Sequence, residues 1–115
     1  MNKAIAGYHM LMILSSVDRK YSVEEENIIR EYLVNEFPIQ IPLDNEMDII
    51  SNLKNVDKLP HFEKCMDDFY DDATEEDRNN FLEFAIALVK ADDDISKEEN
   101  QFLNRLFEVW EPETE

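Results

Sequence analysis

The sequence is short of several residue types on which common folds and sites depend. Its 115 residues include one glycine and one cysteine, and 11 basic residues stand against 28 acidic ones. A single glycine leaves few positions for the positive-φ turns of β-hairpins, which disfavours a hairpin-rich β fold. A single cysteine excludes an intrachain disulfide and a cysteine-rich metal site. No apolar run reaches the roughly 18 residues of a membrane span.

The shortage of basic residues limits the partners of the chain. The net charge is −17 at pH 7, and no basic cluster offers the footprint that neutralises nucleic-acid phosphates. Nucleic acid and anionic membrane surfaces are therefore not expected partners. The negative field attracts cations and proteins with a basic surface. The alternative is that the charge only keeps a small protein in solution.

Residues 4 to 14 form a mostly apolar stretch that follows Lys3. Short signal peptides share this pattern. The internal repeat described below places the same stretch inside the fold. We therefore expect a helix here that belongs to the domain, and a cytoplasmic protein.

Apolar residues recur at helical spacing along most of the chain, and no segment sustains the alternation of a strand. The pattern predicts helices over about 3–16, 22–37, 44–54 and 59–72, a fifth that opens at Thr74 and a sixth that opens at Ser96. Pro38 and Pro42 oppose a continuing helix and indicate an extended connector, whereas Pro60 suits the first turn of the fourth helix. We expect an all-α fold: a compact helical bundle of about six helices in a single domain, residues 1–115.

The helical pattern also selects a core. Cys65 falls in an i, i+3, i+4, i+7 series with Phe62, Met66 and Phe69, so it is expected to be a core residue and not a reactive thiol. Eight further residues are expected to be mostly buried: Ile28, Ile29, Leu33, Phe81, Leu88, Phe102, Leu103 and Leu106.

Two segments 74 residues apart share a pattern. In residues 18–25 and 92–99 the aspartate, the serine and both glutamates match, and an apolar residue precedes each serine. The chain thus contains an internal duplication of a helix–acidic loop–helix unit, with halves at about 4–37 and 75–110. The Ser-x-x-Glu motif of each copy is a capping box, which explains the serines and the glutamates. It does not explain the aspartates.

With these residues in view, the chain resembles the TerB-like (tellurite-resistance protein B) family. The family pattern is Asp-Gly, one residue, an apolar residue, Ser or Thr, two residues and then Glu, once in each half of an all-helical domain. It maps onto Asp18 with Glu25 and onto Asp92 with Glu99. The resemblance covers about residues 4–33 and 81–110, and the middle matches only in position and helical character. The family glycine is replaced by arginine in the first copy and by aspartate in the second.

The resemblance implies a non-enzymatic bacterial protein of stress response or tellurite resistance. It also implies an acidic surface that binds divalent cations. Carried over onto this chain, the metal-binding residues are those of the two motifs, Asp18 with Glu25 and Asp92 with Glu99.

Charge distinguishes the two acidic segments. The run Asp92–Asp94 follows the end of the fifth helix, where the helix dipole is negative and carboxylates are disfavoured. A hard cation of the calcium or magnesium class would relieve the repulsion at Asp92, Asp94 and Glu99. In the first copy, Arg19 and Lys20 supply positive charge within the chain. We therefore expect the second segment, and not the first, to need an external cation. The alternative is a solvated loop screened by salt.

Other metal chemistry finds little support in the sequence. The run that starts at Asp92 fails as an EF-hand, because Lys97 stands where glycine is required and Leu103 where glutamate is required. His9 and His61 do not follow a Glu-x-x pattern, so a di-iron bundle fails. No His-x-x-x-His pair or Cys/His set of zinc type is present, and each histidine is expected to be structural or exposed.

No catalytic machinery is recognisable, so an enzyme is not expected, and a metal-dependent hydrolase ranks third among the functions. The leading hypothesis is a TerB-like stress-response module that binds a divalent cation at its acidic loops. The alternative is an acidic interaction domain that docks a protein with a basic surface, for which the acid-rich segment 67–77 would serve.

Overall fold

Six helices make up the part of the chain that the computed structural model describes, residues 3–16, 23–37, 43–90 and 97–110. No strand occurs within these ranges, so the predicted all-α bundle of about six helices is confirmed. The predicted connector around Pro38 and Pro42 lies outside them. The helices are α1 (Lys3–Ser16), α2 (Val23–Glu36), α3 (Leu43–Ser51), α4 (Asn55–Asp72), α5 (Glu75–Lys90) and α6 (Lys97–Trp110).

Helix α1 is the centre of the bundle. It packs against all five other helices, and its residues are buried from Ala4 to Ser15 with the exception of Ile5, which is partly buried. A helix that is apolar on every side is typical of a core position rather than a surface position. The sequence predicted one broad apolar face here, and the structure buries the whole circumference.

The helix bounds follow the 74-residue offset of the repeat. Displaced by 74 residues, the range of α2 becomes 97–110, the range of α6, and the last residue of α1 falls on the last residue of α5. Leu14 and Leu88 are both buried, as are Ile29 and Leu103. The pairs α1–α2 and α5–α6 are therefore equivalent in sequence register. That the two halves superpose stays a prediction.

The predicted core is confirmed except at one position. Ile28 is 48% exposed, although it was expected to be buried. Helix α2 packs mainly on α1 and buries only Glu26, Ile29 and Leu33, which are three and four residues apart. Ile28 is about 100° around the helix from Ile29 and faces away from this narrow contact.

Helices α3 and α4 differ from their predicted bounds. Helix α3 ends at Ser51 instead of Lys54, and the backbone N–H groups of Asn52 and Leu53 bond back to carbonyls of the last turn. Helix α4 begins at Asn55 instead of Leu59, so Pro60 lies inside the helix. A proline there removes the bond to the carbonyl four residues earlier, at Val56. The Val56 side chain is exposed, so that turn is open to water.

Helix α5 begins with the cap that the sequence predicts. The backbone N–H of Asp77 donates to Thr74 Oγ1 at 3.1 Å, and the backbone N–H of Thr74 donates to Asp77 Oδ2 at 3.2 Å. This reciprocal pair satisfies two N–H groups that the helix start leaves open.

Candidate functional site

The two glutamates of the expected cation sites occupy matching positions. Glu25 and Glu99 are each the third residue of their helices, α2 and α6. Glu99 is only 2% exposed, whereas Glu25 is partly buried. Asp18, Asp92 and Asp94 lie outside the described residues, so the meeting of these aspartates with the glutamates stays a prediction.

A third glutamate at the start of α2 was not singled out from the sequence. The Glu26 side chain is buried and accepts hydrogen bonds from Tyr8 Oη at 3.1 Å and from Arg30 Nε. Burial, and next the negative charge of Glu26, raise the pKa of the Tyr8 phenol well above its usual range. Glu26 thus ties α2 to the central helix. In the sequence, only the spacing of four residues between Glu26 and Arg30 indicated that Glu26 is paired.

The acid-rich segment at the junction of α4 and α5 presents carboxylates to solvent. We define the acidic α4–α5 face by its exposed members, Asp67, Asp71, Asp72, Glu75 and Glu76. Asp72 accepts a hydrogen bond from the Lys3 backbone N–H at 3.0 Å, and Asp77 pairs with Lys3 Nζ at 2.8 Å. The start of α1 is therefore anchored at the edge of this face, while the other carboxylates of the face point outward.

A polar cluster interrupts the apolar surroundings of α1. His9 lies on α1 and is 1% exposed. Its Nδ1 lies 2.8 Å from Nε2 of His61 on α4, and its Nε2 lies 2.7 Å from Oε1 of Glu46 on α3. Both ring nitrogens of this buried imidazole therefore have a partner, as a buried polar group requires.

Cys65 completes the cluster, which we call the His–His–Cys cluster (His9, His61 and Cys65). Cys65 follows His61 by one helical turn on α4, and its Sγ and one ring nitrogen of each histidine all lie within 4.8 Å of one another. Burial raises the pKa of the Cys65 thiol to about 12. Burial, and next the neighbouring His9, lower the pKa of His61. Both shifts disfavour the charged form of the group, the imidazolium of His61 and the thiolate of Cys65.

The sequence expectation for these residues was partly wrong. Cys65 is a core residue as predicted. The statement that no Cys/His set exists fails, because the fold assembles one from residues that are 52 positions apart in the chain. The pair His61-x-x-x-Cys65 was the available signal, since two residues four apart share a helix face. Its third member, on another helix, has no local signature.

None of the helices in the described ranges combines the length and apolar character needed to span a membrane.

The comparisons with known proteins agree with the helical architecture. The family model described as tellurite resistance protein TerB matches residues 4–111, nearly the whole chain. It therefore also covers the middle helices, which the repeat alone did not identify. No curated protein and no solved structure matches the chain. The match over both repeat halves and the helices between them shows that the chain belongs to the TerB family of tellurite resistance proteins.

Proposed function

We propose that this chain is a non-enzymatic, cytoplasmic module of the tellurite-resistance type that binds a divalent cation of the calcium or magnesium class. The observation that carries the proposal is the TerB family match over residues 4–111, since this family is not generally a catalytic one. The proposed cation ligands are Asp92, Asp94 and Glu99.

The different burial of the two motif glutamates supports this choice of ligands. Glu99 is almost fully buried, and it lies in the first turn of α6, five residues after Asp94. A carboxylate in a low-dielectric surrounding attracts a hard cation more strongly than a solvated one. Its counterpart Glu25 retains partial access to water.

The charges of the two acidic segments support the same asymmetry. Residues 92–94 are three aspartates with charge −3, whereas Asp18 is followed by Arg19 and Lys20, which gives residues 18–20 a charge of +1. A hard divalent cation prefers several carboxylate oxygens. Residues 92–94 offer such oxygens and include no basic residue that would neutralise their charge.

Calorimetric titration of chelator-treated protein with calcium and with magnesium tests the proposal. We expect one saturable site in the wild type and none in Asp94→Lys, whose unliganded fold should be at least as stable because repulsion is removed. The matched control is Asp18→Asn, in the first copy of the motif, which should bind like the wild type. Equal affinity in wild type and Asp94→Lys would reject the site, and binding that depends on Asp18 would reject the asymmetry.

The acidic α4–α5 face favours a second candidate function, docking of a protein with a basic surface. Its carboxylates are exposed and concentrated on neighbouring helix ends, and Tyr70 among them is 45% exposed. The Arg78 guanidinium lies 4.0 Å from the centroid of the Tyr70 ring, which holds this aromatic ring at the surface. Such a surface suits lysine- and arginine-rich partners.

Binding of a lysine-rich peptide at low and high salt tests this alternative. The variant Asp71→Asn/Glu75→Gln/Glu76→Gln should lose most of the salt-sensitive binding. The control Glu24→Gln/Glu31→Gln/Glu36→Gln removes the same charge from exposed positions of α2. If both variants lose binding equally, only net charge matters and the face is not a docking site.

A further inference from the structure

The His–His–Cys cluster brings together the donor atoms that zinc prefers. Two imidazole nitrogens and one sulfur, from α1 and α4, lie within 4.8 Å of one another at the junction of α1, α3 and α4. Structural and catalytic zinc sites are built from such nitrogen and sulfur ligands, with three protein ligands where a fourth position stays open. Calcium and magnesium prefer oxygen and have little affinity for this set.

The position of Glu46 is a second and independent indication. A histidine that binds a metal through one nitrogen commonly donates its other N–H to a carboxylate, which fixes the tautomer and orients the ring. Glu46 Oε1 accepts from Nε2 of His9 at 2.7 Å. With the proton on Nε2, the lone pair of Nδ1 faces Nε2 of His61, 2.8 Å away.

We propose that His9 Nδ1, His61 Nε2 and Cys65 Sγ bind one metal ion of the zinc class, with Glu46 as the positioning residue for His9. The thiol proton leaves to solvent as the metal–sulfur bond forms, because the charge of the ion favours the thiolate. His61 binds as the tautomer that is protonated on Nδ1, so its Nε2 proton is transferred to Nδ1 through solvent as the metal–nitrogen bond forms. The fourth position lies open to an exogenous ligand on the side of His61, which is partly exposed.

The adjustment that binding requires is small. Zinc–ligand bonds in a tetrahedral site place two nitrogens about 3.3 Å apart and a nitrogen and a sulfur about 3.6 Å apart. The two imidazoles, now 2.8 Å apart, must separate slightly, and Sγ must approach them from within 4.8 Å. His61 is the member free to move, since His9 and Cys65 are fully buried.

A hydrogen-bonded chain is the competing account of the same geometry. In it, Glu46 accepts from His9, and His61 Nε2–H donates to His9 Nδ1. This chain satisfies the buried imidazole without a metal. In this account the Cys65 sulfur binds no metal, so the two accounts differ in what happens at the sulfur.

Cobalt(II) is a spectroscopic substitute for zinc, and its absorption shows directly whether the sulfur binds the metal. Chelator-treated, reduced wild-type protein is expected to bind one equivalent of cobalt(II), with the intense near-ultraviolet absorption of a cobalt–thiolate bond, and zinc should displace it. Cys65→Ala should lose this absorption, and His61→Ala should lose saturable binding at the same cobalt concentration. Absence of the absorption in the wild type overturns the proposal without any variant, and so does its persistence in Cys65→Ala.

Glu46→Gln tests the positioning residue and avoids the buried core. Loss of the carboxylate charge should weaken zinc binding about 10- to 100-fold. The matched control is Asp48→Asn, an exposed acid on the same helix, which should bind zinc like the wild type. Equal affinities of Glu46→Gln and Asp48→Asn would reject the positioning role.

The proposed zinc-class site and the proposed calcium or magnesium site can be tested and rejected independently of each other. Asp94→Lys should remove binding of the hard cation and leave the cobalt–thiolate absorption unchanged. Cys65→Ala should leave binding of the hard cation unchanged and remove the cobalt–thiolate absorption. Loss of both in either variant would show one coupled site, and would contradict this assignment.

Discussion

Two tyrosines of the bundle each bury a hydroxyl group, and only one of these hydroxyls has a hydrogen-bond partner among the described residues. Tyr8 on α1 donates its hydroxyl to the buried carboxylate of Glu26 at 3.1 Å. Tyr32 on α2 also buries its hydroxyl, which has no hydrogen-bond partner among the described residues. The Tyr32 ring stacks on Phe84 with centroids 4.0 Å apart. Replacing either tyrosine by phenylalanine removes one oxygen and keeps the ring.

The expected effects differ in size and can differ in sign. Tyr8→Phe removes a hydrogen bond to a charged group and leaves Glu26 buried with one donor fewer, which should cost about 1.5–3 kcal/mol. Tyr32→Phe removes a buried hydroxyl whose desolvation is uncompensated, so the free energy of unfolding should stay within about 0.5 kcal/mol or increase. The ring contacts of both residues survive, because phenylalanine has the same ring.

Urea unfolding near pH 7 measures both changes on one scale. A change in the midpoint at constant slope reports a change in stability alone. Glu26→Gln is the companion variant: combined with Tyr8→Phe it should cost less than the sum of the two single changes, since the residues share one interaction. Equal losses in Tyr8→Phe and Tyr32→Phe would refute the reasoning, because it would show that hydroxyl burial and not pairing determines the outcome.

Three further predictions address the core, pH dependence and close packing. Leu103→Ala should lower the free energy of unfolding by about 2–5 kcal/mol through lost transfer energy and a cavity, while Ile28→Ala, at an exposed site, should change it by less than about 0.5 kcal/mol; equal losses in urea unfolding would contradict this. Burial raises the pKa of Asp77, but hydrogen bonds from Lys3 and Thr74 outweigh it and lower the pKa overall. Its contribution is therefore full at neutral pH and lost as pH falls below about 4, so the stability difference between wild type and Asp77→Asn should shrink on acidification, and a pH-independent difference would speak against it. Gly7→Val should destabilise by about 1–3 kcal/mol in thermal unfolding, because even a Cβ would meet Phe81 at 3.2 Å and Leu33 at 3.3 Å, and an unchanged midpoint would show that these side chains yield.

The fold was predictable where its signals are local. The Thr74–Asp77 cap and the 74-residue repeat each involve residues close in sequence or in a fixed register, and helices α1 and α2 begin and end within one residue of the expected positions. Ile28 was misplaced because periodicity gives an apolar face but not the width of the contact that covers it. The early start of α4 was missed because Pro60 indicates a first turn, and an exposed turn tolerates it further inside.

The candidate sites also differ in whether a local sequence pattern indicates them. The acidic motifs were recognisable because a family pattern occurs twice in sequence, and that pattern also selected Glu25 and Glu99 over Glu26, which is the buried glutamate in α2. The His–His–Cys cluster has no such pattern. His9 belongs to a helix that is buried all round, so no polar face marks it, and its partners come from α3 and α4. Only the packing of α1 against these helices brings two imidazoles and a thiol together. The order of the residues along the chain does not predict that packing.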